Sequence, residues 1–301
     1  MMNDSGHKGI SYMAGFFIAI CFTIAGMMFG LMLTNGLWPL LSGQSKISLA
    51  EGMHDAQFTT AAKIIQSIMA LVGFLLPAIA TAFLLHRKPS ILLGLKHNDI
   101  TPKLVGLAIG IIMLSLPISG SLGYLSHQLP LPESWITYFN ELESSYNNNV
   151  EGIVGLETFT QFLFSLVVMA FLPALCEEVL FRGALQGFLT RGTNKPWVAI
   201  IIVSLIFSLV HLSGYGFLSR VFLGIILGAI YYYTGRLWLS ILAHFINNAI
   251  IVSMLYYYKS SGKDLNTLLN DNTGNYWGLL AISVVIILFG LLQKAKPVER
   301  Y

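Results

Sequence analysis

The stretch FLPALCEEVLFRGALQGFLTRG, residues 171–192, places two adjacent glutamates and an arginine inside an otherwise strongly apolar segment. These residues are Glu177, Glu178 and Arg182. Ionisable side chains in a hydrophobic segment of membrane length are costly, so they are rare and usually face a bundle interior or a water-filled cavity. Three such side chains so close together indicate a functional site within a membrane protein.

The composition of the whole chain predicts the same class of protein. Apolar residues make up 55% of the 301 residues and charged residues 10%, and the mean hydropathy is +0.71, which excludes a soluble multidomain protein. We therefore predict an all-α, polytopic integral membrane bundle. A span needs about 20 apolar residues, and eight segments are long enough: 10–33, 62–85, 103–125, 157–190, 197–214, 217–234, 236–257 and 275–293.

These segments predict one membrane domain over residues 1–301, with a catalytic core at 157–255 and flanking helices at 10–125 and 275–293. The first apolar segment is longer than the apolar part of a signal peptide, so we expect it to be retained. Gly36 and Pro39 predict a loop over 34–61. The acidic, aromatic-rich stretch 127–156 is interpreted as a solvated loop at the membrane interface, with a lid or partner surface as the alternative.

The distribution of basic residues predicts the orientation. Cytoplasmic flanks are enriched in Lys and Arg, and an N-terminus in the cytoplasm puts twelve of the 17 Lys and Arg residues on the cytoplasmic side. An even number of spans then puts both termini in the cytoplasm. A compact chain without long soluble extensions favours a bacterial inner membrane.

Charge and cysteine content exclude other functions. A net charge of +3 without a dense basic run gives no reason to expect nucleic acid. Cys21 and Cys176 both lie in predicted spans, so no disulfide framework or CxxC metal site is expected. The expected partners are a peptide or membrane-protein substrate and the lipid bilayer, and the sequence does not determine the oligomeric state.

Pairs of residues four apart, and therefore on one helix face, recur on three predicted spans, and each pair includes at least one polar residue. Glu178 and Arg182 form the first pair, Phe207 and His211 the second, and His244 and Asn248 the third. At a helical rise of about 1.5 Å per residue, Glu177, His211, His244 and Asn248 all lie roughly 12 to 21 Å from the cytoplasmic helix ends. They can therefore meet in one cavity.

Activation of a water molecule is the chemistry that fits these residues. A buried carboxyl group that shares a proton with a neighbouring histidine can act as a general base toward water, which suits Glu177 and His211. The His244 imidazole and the Asn248 amide can donate hydrogen bonds to the oxyanion of a tetrahedral intermediate. Arg182 would keep Glu178 ionised and fix the local geometry. We expect a cavity that is reached from the cytoplasmic side.

The same motifs resemble a known family. Glu177-Glu178-x-x-x-Arg182, Phe207-x-x-x-His211 and His244-x-x-x-Asn248 resemble the type II CAAX prenyl endopeptidases and bacterial CPBP intramembrane proteases, which include bacteriocin-processing and immunity proteins. The resemblance covers roughly residues 157–255. It implies an intramembrane protease in which Glu177 and His211 activate water, His244 and Asn248 stabilise the oxyanion, and Glu178 and Arg182 support them. We expect no cofactor, with a zinc-dependent protease as the alternative.

Simpler interpretations and other functions stay open. Glu178 and Arg182 can be a structural ion pair, and His244 and Asn248 can hydrogen-bond between helices, as polar residues in membranes do. An immunity or scaffold protein would bind a partner without cleaving it. A proton-coupled transporter could use Glu177 and His211 as a relay, although the inverted repeat common in transporters is not visible. A prenylated CAAX protein as substrate would require a eukaryotic or archaeal source.

Overall fold

The computed structural model describes residues 6–53, 55–96, 100–154, 156–263, 265 and 274–295. Every element within these ranges is a helix. The longer helices are α1 (Tyr12–Ser42), α2 (Ala56–Leu85), α3 (Pro102–His127), α4 (Glu133–Val154), α5 (Phe159–Thr193), α6 (Pro196–Leu209), α7 (Phe217–Thr234), α8 (Leu237–Ser260) and α9 (Trp277–Lys294). Short helices at Leu49–Gly52 and Pro89–Leu92 lie between the longer ones.

Seven of the described helices, all except α4 and α6, are long and apolar enough to cross a membrane. Their outer faces expose large apolar side chains, such as Met28, Leu40 and Ile286, as expected of surfaces in contact with lipid. The predicted polytopic helical bundle is therefore confirmed, and the chain is an integral membrane protein.

The predicted fifth span, at 197–214, is shorter in the structure. Helix α6 has 14 residues and ends at Leu209, and a turn follows before α7 starts. The Ser208 hydroxyl donates to the Phe217 carbonyl, and the Ser213 hydroxyl accepts from the Gly216 N–H, so side chains take over hydrogen bonds that a longer helix would supply. Residues 210–216 are called the α6–α7 turn below.

The predicted loop over 34–61 is also partly helical. Helix α1 continues through Pro39 and ends at Gly43, whose φ of 68° gives the left-handed C-cap that glycine favours. Trp38 holds this extension because its ring packs against Phe58 and its indole N–H donates to the Ile47 carbonyl. Tertiary contacts therefore override the helix-breaking residues.

The stretch 127–156, interpreted as a loop, contains the 22-residue helix α4. Three of its side chains contact the α6–α7 turn. Phe139 packs edge-on against Tyr215, and Asn140 accepts a hydrogen bond from the Tyr215 hydroxyl. Glu143 accepts a hydrogen bond from Ser213. Amphipathic α4 therefore covers the turn that joins α6 to α7.

Two hydrophobic clusters form the bundle interior. One cluster joins α1, α2, α5 and α6, through side chains such as Phe16, Leu85, Phe181 and Phe207. The other joins α3, α7, α8 and α9, through side chains such as Ile111, Leu227 and Val285. The buried polar residues of α5 and α8 lie where the helices of the two clusters meet.

Glycines on α7 allow it to pack closely against α5 and α6. A Cβ on Gly224 would lie 2.8 Å from the Ser204 Cβ, and a Cβ on Gly228 would lie 2.7 Å from the Gln186 Oε1. The Gly228 carbonyl accepts a hydrogen bond from the Gln186 amide, so the close approach is tied by a polar contact. Both glycines are therefore sites of close helix contact.

Candidate active site

Helix α5 carries the acidic pair at a junction between two kinds of helix. The segments Leu166–Phe171 and Val179–Gln186 are π-helical, and Leu172–Glu178 between them is α-helical. Pro173 lies in the first turn of the α-helical part, just after the first π-helical segment. Widened π-helical turns inside α-helices are frequent at functional sites. The two π-helical segments depart from the regular helix predicted from the sequence.

Glu178 is the centre of a closed, buried hydrogen-bond network. Its Oε1 lies 2.7 Å from Arg182 Nη1 and 2.8 Å from His244 Nδ1, and its Oε2 accepts from the Ser240 hydroxyl at 2.5 Å. The Glu178, Arg182 and Ser240 side chains are at most 1% exposed. Each carboxylate oxygen thus has a partner, as a buried charge requires.

Arg182 connects this network to α6 and α7. Its Nη2 donates to the Gly224 carbonyl at 3.4 Å, and its guanidinium carbon lies 4.7 Å from the centre of the Phe207 ring. The Phe207 ring in turn packs against Phe181 and against His211. Phe207 is buried and packs beside the site.

Glu177 is arranged differently from its neighbour. Its Oε2 is buried and has no hydrogen-bond partner among the described residues. The same oxygen lies 3.9 Å from His211 Nε2 and 3.9 Å from His244 Nε2. The Glu177 side chain is 13% exposed and that of His211 is 28% exposed, so this group, unlike the Glu178 network, is accessible.

The α6–α7 turn sets the orientation of His211. His211 lies two residues beyond the end of α6, which corrects the prediction that it lies on a spanning helix. Its Nδ1 donates to the Phe207 carbonyl at 2.7 Å, so its Nε2 faces Glu177. Leu212, the next residue, has a φ of 48°, an uncommon conformation for a bulky side chain that is found at functional sites.

His244 contacts both glutamates. Because the Glu178 carboxylate can only accept, His244 Nδ1 donates to it, which leaves His244 Nε2 to face Glu177. Asn248 lies one turn further along α8, and its Oδ1 accepts from the Asn247 amide at 3.1 Å. The structure thus brings Glu177, Glu178, Arg182, His211 and His244 together, whereas Asn248 is hydrogen-bonded to Asn247.

Sequence reasoning missed Ser240. This residue lies four positions before His244, and its hydroxyl also approaches the Leu227 carbonyl at 3.0 Å. The signal that could have found it is the spacing Ser240-x-x-x-His244-x-x-x-Asn248, which repeats the four-residue step already used for the other pairs. A small hydroxyl residue in an apolar helix is common, so that signal is weak.

The site does not fit a zinc ion as it stands. Nitrogen and oxygen ligands at about 2.0–2.2 Å from zinc would lie about 3.3 Å from each other in a tetrahedral site. Both histidine nitrogens are 3.9 Å from the Glu177 oxygen. Within the described ranges, no group of three or more His, Cys, Asp and Glu residues could hold a metal ion.

Fold and site together define an integral membrane protein with a buried acidic and histidine cluster inside a helical bundle. Residues 159–250 match the family described as type II CAAX prenyl endopeptidase Rce1-like. The matched segment runs from α5 into α8 and includes every site residue named above, so the resemblance inferred from the motifs is confirmed. No curated protein and no solved structure matches the chain.

Proposed function

We propose that this protein is an intramembrane endopeptidase in which Glu177 and His211 activate water for attack on a peptide bond. The observation that carries the proposal is the Glu177 Oε2: it is buried, has no hydrogen-bond partner among the described residues, and lies 3.9 Å from two histidine nitrogens. Buried polar atoms are nearly always satisfied. A water molecule is the smallest group that would satisfy this one.

The distances suit a water shared by Glu177 and His211. Hydrogen bonds to water are about 2.8 Å long, so one water oxygen can contact both Glu177 Oε2 and His211 Nε2 across 3.9 Å. The hydrogen bond from His211 Nδ1 to the Phe207 carbonyl holds the ring in this orientation. Glu177 and His211 together are therefore the general base that takes a proton from this water.

The reaction then follows the usual course of water addition to a carbonyl. The water oxygen bonds to the peptide carbon as Glu177 and His211 take its proton, and the carbonyl oxygen becomes negatively charged. His244 Nε2 and the Asn248 amide are the proposed donors to this oxyanion. When the carbon–nitrogen bond breaks, the proton held by Glu177 and His211 passes to the leaving amine.

In this role His244 acts as an imidazolium, with a hydrogen on each ring nitrogen. Its Nδ1 donates to Glu178, and its Nε2 faces Glu177 and the proposed oxyanion. Glu178, Arg182 and Ser240 act through His244 and are positioning residues in this proposal.

The proposed reaction uses no cofactor, and a zinc-dependent protease remains the alternative to be tested with a chelator. The proposed substrate is a peptide or membrane protein, in a bacterial inner membrane with both termini of the chain in the cytoplasm. The matched family is described as one of CAAX prenyl endopeptidases. A prenylated substrate would require a eukaryotic or archaeal source, so it is an alternative to the bacterial setting proposed here.

The side of access follows from the lengths of α6 and α7. These helices have 14 and 18 residues, or about 21 and 27 Å, and their shared turn carries His211. The basic residues Lys195 and Arg236 lie at their other ends. Because cytoplasmic flanks are enriched in Lys and Arg, the ends with Lys195 and Arg236 are on the cytoplasmic side in this proposal. The turn with His211 is then nearer the opposite face, which α4 covers, so access from that face is favoured over the predicted cytoplasmic access.

Labelling of a cysteine beside the site would decide between these faces. Leu212 is 68% exposed next to His211, so a Leu212→Cys variant in a Cys21→Ser background offers one accessible thiol. A membrane-impermeant maleimide applied to cells, and then to inverted vesicles, would label it from one side only. Labelling in inverted vesicles alone would restore the cytoplasmic prediction.

A cleavage assay in native membranes tests the proposed function. Wild type, Glu177→Ala and His211→Ala would be compared at matched expression, each with and without chelator, by mass spectrometry of the peptide products. We expect products from wild type with or without chelator, and none from either variant. Loss of wild-type products with chelator would support a zinc enzyme, and a biological phenotype that survives both substitutions would support a scaffold or immunity protein.

A further inference from the structure

Arg220, in the first turn of α7, has a free hydrogen-bond donor beside the proposed active site. Its Nη1 is buried and has no hydrogen-bond partner among the described residues. None of the ion pairs found between described residues includes Arg220. Since a buried donor without a partner costs free energy, this guanidinium is suited to bind an anionic group that enters the site.

The guanidinium is fixed in place by two neighbours. The Tyr146 ring of α4 lies 5.0 Å from its central carbon, a cation–π contact that holds one face of the group. A Cβ on Gly216 would overlap Arg220 Nη1, so the guanidinium occupies space that only a glycine leaves free. The φ of Gly216 is −74°, which any residue can adopt. Glycine is therefore needed here to leave room for the guanidinium, and the backbone conformation does not require it.

Arg220 lies close to His211. Gly216, on which the guanidinium rests, is in the α6–α7 turn that carries His211, and Arg220 is close enough to His211 for an electrostatic interaction. The Glu143 carboxylate accepts a hydrogen bond from the Ser213 hydroxyl, and the ion pairs found between described residues do not join Glu143 to Arg220. A positive charge thus faces the proposed site from the side of α4.

We propose that Arg220 binds a carboxylate of the substrate and thereby positions the peptide bond at Glu177. This inference rests on the proposed protease function. A guanidinium presents several N–H groups in a plane that matches a carboxylate, and Tyr146 leaves the edge of that plane free. The carboxylate is either the substrate's C-terminus or an acidic side chain near the scissile bond.

The test measures the preference for a carboxylate. Three peptides with one cleavage site are compared: one with a free C-terminus, one with an amidated C-terminus, and an amidated one with an added glutamate. Charge-assisted hydrogen bonds contribute about 1.5–3 kcal/mol, so wild type should cleave a carboxylate peptide roughly 10- to 100-fold more efficiently than the neutral amide, in kcat/KM. The preferred peptide identifies the source of the carboxylate.

Substitution of Arg220 should abolish this preference. In Arg220→Gln the ratio of kcat/KM between carboxylate and amide peptides should fall to about one, mainly through a rise in KM for the carboxylate peptide, and Arg220→Lys should retain part of it. Gly216→Ala, which displaces the guanidinium but keeps its charge, should lower the same ratio. Lys259→Gln, a cation on the exposed end of α8, is the control and should leave the ratio unchanged.

The outcomes separate this inference from the proposed function. If wild type cleaves none of the peptides, the protease proposal is in question. If wild type cleaves all three equally, or if Arg220→Gln lowers all three equally, Arg220 does not bind a substrate carboxylate and only this inference fails.

Discussion

Glu177 and Glu178 are neighbours in the chain, but the structure places them in opposite environments. Glu178 is buried, and both of its oxygens are hydrogen-bonded to Arg182, His244 and Ser240. Glu177 is partly exposed, its Oε2 has no hydrogen-bond partner among the described residues, and two histidine nitrogens lie just beyond hydrogen-bond distance. A carboxylate whose oxygens both have hydrogen-bond partners supports the structure, whereas a carboxylate oxygen without a partner is available for chemistry.

This difference predicts that the two glutamates fail in different ways when they are changed. Removal of one partner from a buried ion pair leaves an uncompensated charge, so the Glu178 network should control stability. A general base contributes to the rate of reaction and much less to folding. Substitutions that weaken the Glu178 network should therefore lower the stability of the protein, and substitutions around Glu177 should lower its activity.

Glu178→Gln should destabilise the protein by about 3–5 kcal/mol, because Arg182 would remain buried without a charged partner. Unfolding in a denaturing-detergent titration measures this change. Glu157→Gln is the matched control, since Glu157 pairs with Lys259 at 3.8 Å on the exposed surface, where ion pairs contribute little. Equal stability of the two variants would mean that the Glu178 network does not hold α5 to α8.

Ser240→Ala should destabilise the protein by about 1.5–3 kcal/mol, because the Glu178 Oε2 would lose a buried hydrogen bond to a charged acceptor. The same detergent titration measures the loss. Ser253→Ala is the control on the same helix, because the Ser253 hydroxyl is exposed and donates to the Ala249 carbonyl. A Ser240→Ala variant as stable as wild type would argue against a saturated Glu178.

Gly228→Ala should destabilise the bundle by about 1–3 kcal/mol, the usual cost of overpacking. Its Cβ would lie 2.7 Å from Gln186 Oε1 and 3.2 Å from Ile200 Cγ2. Gly120→Ala on α3 has no atom within 4 Å of its new Cβ and should be neutral or slightly stabilising. Thermal unfolding of the two variants compares them, and a destabilised Gly120→Ala would show that the glycine effect is not steric.

Leu212→Gly should stabilise the folded state slightly, by roughly 1 kcal/mol, because glycine adopts the positive φ without strain. Cleavage activity should nevertheless fall, since the turn that orients His211 becomes less rigid. Leu209→Gly, at the exposed end of α6, is the comparison and should destabilise instead. A stable Leu212→Gly variant with full activity would exclude a positioning role for this turn.

Much of the fold and part of the site can be predicted from the sequence, because a lipid bilayer allows few backbone structures and few positions for charged side chains. Long apolar segments must be helices in lipid, and charges inside them must face one another, which is why the positions of Glu177, Glu178 and Arg182 could be recognised from the sequence. The family resemblance rested on the same residues and is confirmed over 159–250. The pattern of apolar and charged residues in the sequence predicts the structure correctly where that pattern reflects burial in the bilayer or in the bundle.

Other features depended on tertiary contacts that a single sequence does not display. Helix α4 has the sequence of a polar loop, and its helical structure depends on contacts with distant residues, such as those of Phe139 and Asn140 with Tyr215 in the α6–α7 turn. The early end of α6 depends on the Ser208 and Ser213 hydroxyls, which are ordinary residues for a helix in membranes. The sequence does not distinguish Ser240 from other small residues of α8. Only its hydrogen bond to Glu178 in the structure shows its role.

The difference between the two glutamates is tested most directly by Glu177→Gln, assayed for cleavage and for unfolding in the same preparation. Loss of a general base typically slows a reaction about 10²- to 10⁴-fold. We predict a fall of that size in kcat/KM with an unfolding transition equal to that of wild type. Retained cleavage, or a loss of cleavage that merely follows a loss of stability, would contradict the assignment of Glu177 as the residue that activates water.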